Sequence, residues 1–163
     1  MVCPVGGKDL EQWNSVALNE ALRAEAWLLG ARSYEFFGQR WRPRSGELAD
    51  RLNSMPKYVV SSTLEDPEWN NTTVLNGDVV SEVSKLKQKI DGEIHVPASY
   101  QLARTLFEHD LIDEVRVVVF PVVIGSGERL FGETSDKKPM RLVSASTIGA
   151  GLAFLTYEVV RDA

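Results

Sequence analysis

The chain has 163 residues, of which 44% are hydrophobic and 25% are charged, and its net charge is −5 at pH 7. This length predicts a single domain over residues 1–163 with a substantial core. The acidic balance argues against a nucleic-acid surface, and no apolar run reaches the roughly 20 residues that span a bilayer. The only cysteine, Cys3, is typical of a reducing compartment, and His95 and His109 lack zinc-site spacing. We therefore expect a cytoplasmic protein with no nucleic-acid partner, no membrane partner and no metal site.

The first half of the chain predicts helices and short strands in alternation. Hydrophobic spacing, capping residues and breakers predict an irregular arm at 1–13, a helix to about 25, a strand at 26–29, helices at 32–40 and 47–55, and strands at 57–61 and 72–75. A further helix begins after the cap residue Asp78 and stops before Gly92, with one apolar stripe along its length.

The second half is organised around residues 92–131. They predict a strand at 93–96, a helix from Ser99 to about 109, and an apolar strand at 115–124 of the kind found in parallel sheets covered on both faces. Strands at 140–144 and 152–160 follow, and the alternation of the last one is typical of an antiparallel or edge strand. The predicted fold is α/β: a mixed, mostly parallel sheet flanked by helices, with an antiparallel C-terminal strand.

Three predicted strands run directly into small or hydroxyl-bearing residues. These junctions are Gly30-Ala31-Arg32-Ser33, Ser61-Ser62-Thr63 and Pro97-Ala98-Ser99-Tyr100-Gln101. Parallel strands would bring all three to one edge of the sheet, where a cation and hydroxyls beside helix N-termini suit a phosphate-bearing cofactor. Alternatives stay open at this point. Arg32 could form a surface ion pair, Ser61 and Ser62 could be turn formers, and Ser99 could simply cap a helix.

Several segments of the chain resemble the dihydrofolate-reductase-like superfamily. They are GARSYE, KYVVSST, GEIHVPASYQLARTLFEHDLIDEVRVVVFPVVIGSGERLF and the closing strand, and they span roughly residues 22–160. The likeness is nearest to the reductase domain of the riboflavin-biosynthesis deaminase–reductase. The resemblance implies a mostly parallel sheet, NADPH as cofactor, a small-molecule substrate and a homodimer.

The resemblance also implies a role for each junction. Residues 30–33 match the motif beside the cofactor phosphates, with Ala31 in place of the usual arginine. Residues 61–63 match the segment near the adenosine and its 2′-phosphate, and residues 97–101 cover the place where many members have a glycine pair against the pyrophosphate. Gly125-Ser126-Gly127 matches the glycine-rich turn near the nicotinamide.

The sequence departs from this family pattern in two places. Ala98 and Ser99 carry side chains where close approach of backbone to pyrophosphate often uses glycine. The usual first strand, which lies centrally in the sheet, is absent from residues 1–13, where Pro4 cannot donate a sheet hydrogen bond. We expect that the sequence is shortened at its start, that the arm pairs in an unusual way, or that a second chain fills the gap.

These observations support two functions of different classes. The first is an NADPH-dependent reductase that transfers hydride to a small heterocyclic (pterin- or pyrimidine-like) or carbonyl substrate. No catalytic acid can be identified for it in the sequence. The second is a non-catalytic nucleotide-binding or dimer-forming protein that keeps the fold, which the side chains of Ala98 and Ser99 favour. A purely structural interaction protein and a folate reductase proper are weaker hypotheses.

Overall fold

The computed structural model describes residues 6–161, and within this range five helices and seven strands follow one another in the predicted order. They are α1 (Gly7–Arg23), β1 (Ala24–Gly30), α2 (Ala31–Trp41), α3 (Glu47–Ser54), β2 (Lys57–Val60), β3 (Thr72–Leu75), α4 (Val79–Lys89), β4 (Glu93–His95), α5 (Tyr100–Glu108), β5 (Glu114–Val119), β6 (Met140–Ile148) and β7 (Leu152–Val159). The chain divides into two compact units, residues 17–111 and the described parts of residues 1–16 and 112–163. No helix in the described range is long and apolar enough to cross a membrane.

Residues 17–111 are built on a parallel sheet with the strand order β3-β2-β1-β4. The central strand β1 has the sequence AEAWLLG, and its residues from Ala26 to Leu29 are all buried. A near-continuous apolar run of this kind suits a parallel strand that is covered by helices on both faces. The α/β class and the mostly parallel sheet are therefore confirmed.

Trp69 anchors the long connection between β2 and β3 in the core beside β1. Its ring meets Trp27 edge-on with centroids 6.2 Å apart, and its side chain is 2% exposed. Its backbone N–H donates to the Tyr34 hydroxyl at 2.9 Å, and its indole Nε1 donates to Asn53 Oδ1 at 2.7 Å. Because both polar hydrogens have partners, the connection gains a buried aromatic anchor without unpaired donors.

Lys57, the first residue of β2, is fully buried beneath the Trp69 ring. Its ammonium donates to the carbonyls of Leu52 at 2.8 Å and Met55 at 2.7 Å, and it lies 4.7 Å from the centre of the ring. The carbonyls belong to the end of α3, where helix backbone acceptors have no intrahelical partners. The lysine therefore caps the C-terminal end of α3 by hydrogen bonding to its carbonyls, at the edge of the sheet where β2 begins.

The second unit contains an antiparallel sheet with the order β5-β7-β6. Val115, Val117 and Val119 of β5 stand opposite Tyr157, Leu155 and Ala153 of β7, so one face of the sheet is largely apolar. The side chains of Asp9 and Gln12 in α1 accept hydrogen bonds from the backbone of Ala150 and Gly149 at 2.8 and 2.6 Å, which holds the turn between β6 and β7. The antiparallel C-terminal strand is confirmed.

Three predictions about these elements were wrong. The arm predicted at residues 1–13 is helical from Gly7, because residues 7–13 hold good helix formers and no proline after Pro4; residues 1–5 lie outside the described range. The strand predicted at 115–124 ends at Val119, because Pro121 cannot donate to a sheet ladder. Its apolar sequence predicted a place in a parallel sheet, but the strand pairs antiparallel with β7, since β7 offers it a matching apolar face.

The first strand of the family pattern is not found among the described residues. No described residue before β1 forms a strand, so residues 7–13 do not pair with a sheet. Among the described residues β4 pairs only with β1, and β5 pairs only with β7. Each sheet therefore ends at a strand with one unpaired edge.

Raising the pH from about 8 to 10 is expected to stabilise the protein through Lys57. Burial, followed by the charge of Arg51, lowers the pKa of the Lys57 amine from 10.5 to about 8. Above this pH the unfolded chain holds a proton that the folded chain has lost, so the free energy of unfolding rises with pH until the unfolded pKa is reached. We expect a gain on the order of 1–3 kcal/mol in urea unfolding experiments.

Two lysine variants provide the comparison. Lys57→Met removes the buried amine and should remove the rise in unfolding free energy. Lys85→Met removes an exposed lysine that pairs with Glu82 and should keep the rise. Curves of unfolding free energy against pH that run parallel in the parent protein and in Lys57→Met would contradict the prediction.

Candidate functional site

Three parallel strands end at the same level of the sheet in residues 17–111. The register places Gly30 of β1 opposite Val60 of β2, and Val60 opposite Leu75 of β3. The next residue of each strand therefore emerges at one edge, which we call the strand-end edge. Residues 30–33 and 61–63 come together there, as the sequence predicted for parallel strands.

A cavity of about 410 Å³ opens at the strand-end edge. Its walls are backbone, small apolar side chains, hydroxyls and one amide, and they are formed by Ala31, Val60, Ser61, Ser62, Thr63, Leu75, Asn76, Gly77 and Val79. None of these side chains is charged. The cavity thus offers neutral hydrogen-bonding groups beside the start of α2, which suits the sugar of a nucleotide better than a metal ion.

Sequence reasoning missed the far wall of this cavity. Asn76 and Gly77 follow β3 directly and are not among the site residues that the sequence predicted. Since β3 is the third parallel strand in this row, its carboxyl end had to reach the same edge. The signal for them is the predicted strand at 72–75, because the residues that follow it reach the same edge.

Arg32 lies in the first turn of α2 with its side chain exposed. It forms no ion pair or hydrogen bond with any residue in the described range. The surface ion pair that competed with a binding role is therefore not formed there. An exposed guanidinium beside a helix N-terminus is available for an anion, because both the charge and the helix dipole attract it.

The hydroxyls of the second junction divide into two kinds. Ser61 is buried, and its Oγ accepts hydrogen bonds from the backbone N–H groups of Thr63 at 3.2 Å and Leu64 at 3.1 Å. It is thus a turn former, which was one of the two interpretations left open. Ser62 and Thr63 are exposed on the cavity wall, where their hydroxyls face solvent.

Ser99 is placed at the start of α5 but does not cap it. Its Oγ accepts a hydrogen bond from Gly30 N–H at 3.1 Å and donates to the Pro97 carbonyl at 3.1 Å, while its own N–H donates to Ser33 Oγ at 3.0 Å. Its backbone is left-handed, with φ of 49°, so its hydroxyl cannot fold back over its own helix as a cap does. The cap interpretation was wrong, and the third junction instead joins the first.

Two carboxylates stand near the cavity, and both have partners. Asp78 accepts from Ser81 N–H at 2.9 Å and so caps α4, as the sequence predicted. Glu82 pairs with Lys85 at 3.0 Å. Because each carboxylate is engaged with a donor or a cation, their repulsion of an incoming anion is reduced.

Two further groups of residues from the sequence analysis are not part of the cavity lining. His95 Nε2 lies 2.8 Å from Glu93, which also pairs with Arg23 at 2.6 Å. The described range contains no cluster of three or more metal-ligating side chains. Gly125-Ser126-Gly127 lies in the connection between β5 and β6 within the other unit, and its role at the nicotinamide stays a prediction.

Comparison with known proteins finds one matching family model and relatives that are similar in sequence. The family model for the RibD C-terminal domain matches residues 7–154. Two proteins of Bacillus subtilis (strain 168) are similar in sequence. Uncharacterized protein YyaP is 29% identical over 136 residues, covering 80% of this chain and 71% of its own length. Uncharacterized protein YwjB is 28% identical over 92 residues, covering 56% of this chain and 53% of its own length.

Two solved structures share the fold. A putative riboflavin biosynthesis protein from Shewanella sp. PV-4 has a TM-score of 0.73 at 21% identity, covering 90% of this chain and 78% of its own. A pyrimidine reductase-like protein from Corynebacterium diphtheriae has a TM-score of 0.59 at 14% identity, covering 91% of this chain and 81% of its own. The fold of this chain is thus reductase-like.

Proposed function

The chain belongs to the RibD C-terminal domain family, and from this membership and the strand-end edge we propose that it is an NADPH-dependent reductase of a small heterocyclic or carbonyl substrate. The observation that carries the proposal is the convergence of three junctions at one edge, with an unpaired Arg32 beside an uncharged cavity. The reductase-like fold supports the reaction class, and the pyrimidine-like substrate is suggested by the description of one fold neighbour.

The residues at the strand-end edge fit a phosphate-bearing dinucleotide. The hydroxyls of Ser62 and Thr63 and the amide of Asn76 would bind the adenosine ribose and its 2′-phosphate, with Arg32 supplying the positive charge. The N-termini of α2 and α5 would bind the diphosphate, since helix N-termini attract anions. NADPH would supply the hydride, and the protein would hold it against an electrophilic carbon and exclude water.

The cavity lining also bears on the choice between NADPH and NADH. Dinucleotide sites that select NADH commonly present a carboxylate to the ribose 2′-hydroxyl. Here the cavity wall has no acidic residue, and the two carboxylates near it are engaged, Asp78 with the start of α4 and Glu82 with Lys85. This balance of charge favours a ligand with a 2′-phosphate.

A second function, non-catalytic nucleotide binding, is favoured by one observation. Ser99 fills its place at the start of α5 with a side chain that is bonded to Gly30 and Pro97. A diphosphate must approach this side chain, and not a bare glycine backbone. Oxidation of NADPH at 340 nm in the presence of a panel of pterins, pyrimidines and small carbonyl compounds separates the two functions. Binding without turnover on any of them would favour the second.

Replacing Arg32 is expected to weaken NADPH much more than NADH. We expect the parent protein to bind NADPH with a micromolar Kd, tighter than NADH, in a nicotinamide fluorescence titration. Arg32→Ala should raise the NADPH Kd by about tenfold and the NADH Kd by less than about threefold, because only NADPH carries the 2′-phosphate.

The matched control is Arg40→Ala. Arg40 lies on the same helix and its loss changes the net charge equally, but its guanidinium stacks on Trp41 at the other end of α2. Its removal should leave the Kd for both cofactors unchanged. Equal losses for NADPH and NADH in Arg32→Ala would argue against a role at the 2′-phosphate, and a folded parent that binds neither cofactor would refute the proposed function.

We further propose that the active form is a homodimer. In the described range, most of the large hydrophobic side chains that remain exposed belong to the unit that holds the antiparallel sheet, and Val123 is 95% exposed. Its neighbours Val122 and Ile124, and Leu142 and Val143 on β6, are exposed as well. Apolar exposure concentrated in this way is typical of a surface that another protein covers.

Charged residues at two exposed positions between β5 and β6 are expected to dissociate the dimer. Val123→Asp combined with Ile124→Asp should convert a dimeric parent into a monomer in size-exclusion chromatography with light scattering, because charged groups would then have to be buried. Phe36→Asp is the control, since Phe36 is an exposed aromatic of the other unit. A monomeric parent, or a double variant that remains dimeric, would contradict the proposal.

A further inference from the structure

The turn before α5 has an unusual backbone for its sequence. Ala98 and Ser99 both have positive φ values, 52° and 49°, although neither is glycine. A left-handed conformation costs a residue with a Cβ atom roughly 1–2 kcal/mol, and here two such residues follow each other. Such a turn persists only where the surrounding structure holds it in place.

The hydrogen bonds that hold it join Ser99 to Pro97 and to the start of α2. Ser99 is 8% exposed, and it takes part in three hydrogen bonds: from Gly30 N–H, to the Pro97 carbonyl, and from its own N–H to Ser33 Oγ. Two of the three cross from α5 to α2. A Cβ on Gly30 would meet the Ser99 hydroxyl at an ordinary contact distance of 3.9 Å, so the Gly30–Ser99 hydrogen bond does not depend on the absence of a side chain at position 30.

These bonds leave both helix starts open. The N-cap residues of α2 and α5 are Gly30 and Ser99, and neither makes a side-chain cap bond to its own helix. The first backbone N–H groups of a helix have no intrahelical partner. The Ser99 bonds therefore hold two helix N-termini side by side without covering the amides that follow them.

We propose that Ser99, with Ser33 as its partner, is a positioning residue that fixes the start of α5 against the start of α2 so that both can bind one diphosphate group. The proposal rests on the proposed function for the identity of the ligand. Where a glycine pair would adopt the left-handed turn freely, this chain reaches the same turn with a Cβ on each residue and ties it down through the Ser99 hydroxyl.

The proposal gives an order of variants that an ordinary helix-start serine would not give. Ser99→Ala keeps the Cβ that disfavours the left-handed turn and loses the hydroxyl, so it should be the worst replacement. Ser99→Gly loses the same hydroxyl but removes the backbone penalty, so it should retain more function. At a right-handed helix position the order would be reversed, because alanine is the better helix former.

The closing experiment measures ligand binding and backbone order separately. We expect Ser99→Ala to raise the NADPH Kd by about tenfold and Ser99→Gly by less, which corresponds to losing one or two hydrogen bonds. Backbone amide exchange at Gly30 and at residues 100–103 should accelerate in Ser99→Ala. Ser33→Ala should also raise the NADPH Kd and accelerate exchange. Ser33→Thr keeps the hydroxyl, so its Kd and exchange rates should match those of the parent protein.

Ser84→Ala is the matched control. Ser84 donates its hydroxyl to Val80 within α4, so its loss removes a serine hydrogen bond away from both helix starts and should change neither readout. Unchanged amide exchange in Ser99→Ala, or alanine tolerated better than glycine, would overturn the positioning role. If the parent protein binds NADPH, an unchanged NADPH Kd in Ser99→Ala would overturn it as well. A folded parent that binds no NADPH would refute the proposed function alone, and amide exchange would then decide the role of Ser99.

Discussion

The parallel register of β1 with its neighbours is the constraint on which the candidate site depends. Gly30, Val60 and Leu75 stand in one row, so the residues that follow them leave the sheet at the same height. A shift of one residue in either pairing would turn each side chain to the opposite face and separate the junctions. The buried side chains of β1 enforce the register, because Trp27 and Leu29 must meet the α2–α3 side of the sheet.

At the opposite edge of the same sheet, buried polar groups are hydrogen-bonded within the protein. There Lys57 donates to carbonyls at the end of α3, Asn53 accepts from Trp69, and Arg51 donates to the carbonyls of Ala21 at 3.0 Å and Ala24 at 2.6 Å. Polar groups of this region are matched within the protein, which is what burial demands. These hydrogen bonds join the helices and the long β2–β3 connection to the sheet. The cavity lies at the other edge, where the strands end.

The sequence predicted those features that local signals determine. The order of all elements, the cap at Asp78 and the small or hydroxyl residues after β1 and β2 follow from periodicity and capping rules. The partner of β5 could not be predicted, because an apolar strand pairs with whichever neighbour offers a matching face. The role of Ser99 was equally inaccessible, since its hydroxyl bonds Gly30, which lies 69 positions away in the chain.

The difference between the two edges supports the anionic ligand that we propose for the strand-end edge. Among the described residues at this edge, the Arg32 guanidinium and the uncapped starts of α2 and α5 are positive groups or donors without internal partners, and they lie beside the neutral hydroxyls and amide of the cavity wall. The carboxylates nearby are already engaged with Ser81 N–H and Lys85. Arg32 is thus an exposed positive charge at this edge in a chain whose net charge is −5. A dinucleotide with three phosphates would satisfy these donors together, whereas a neutral substrate alone would leave them facing water.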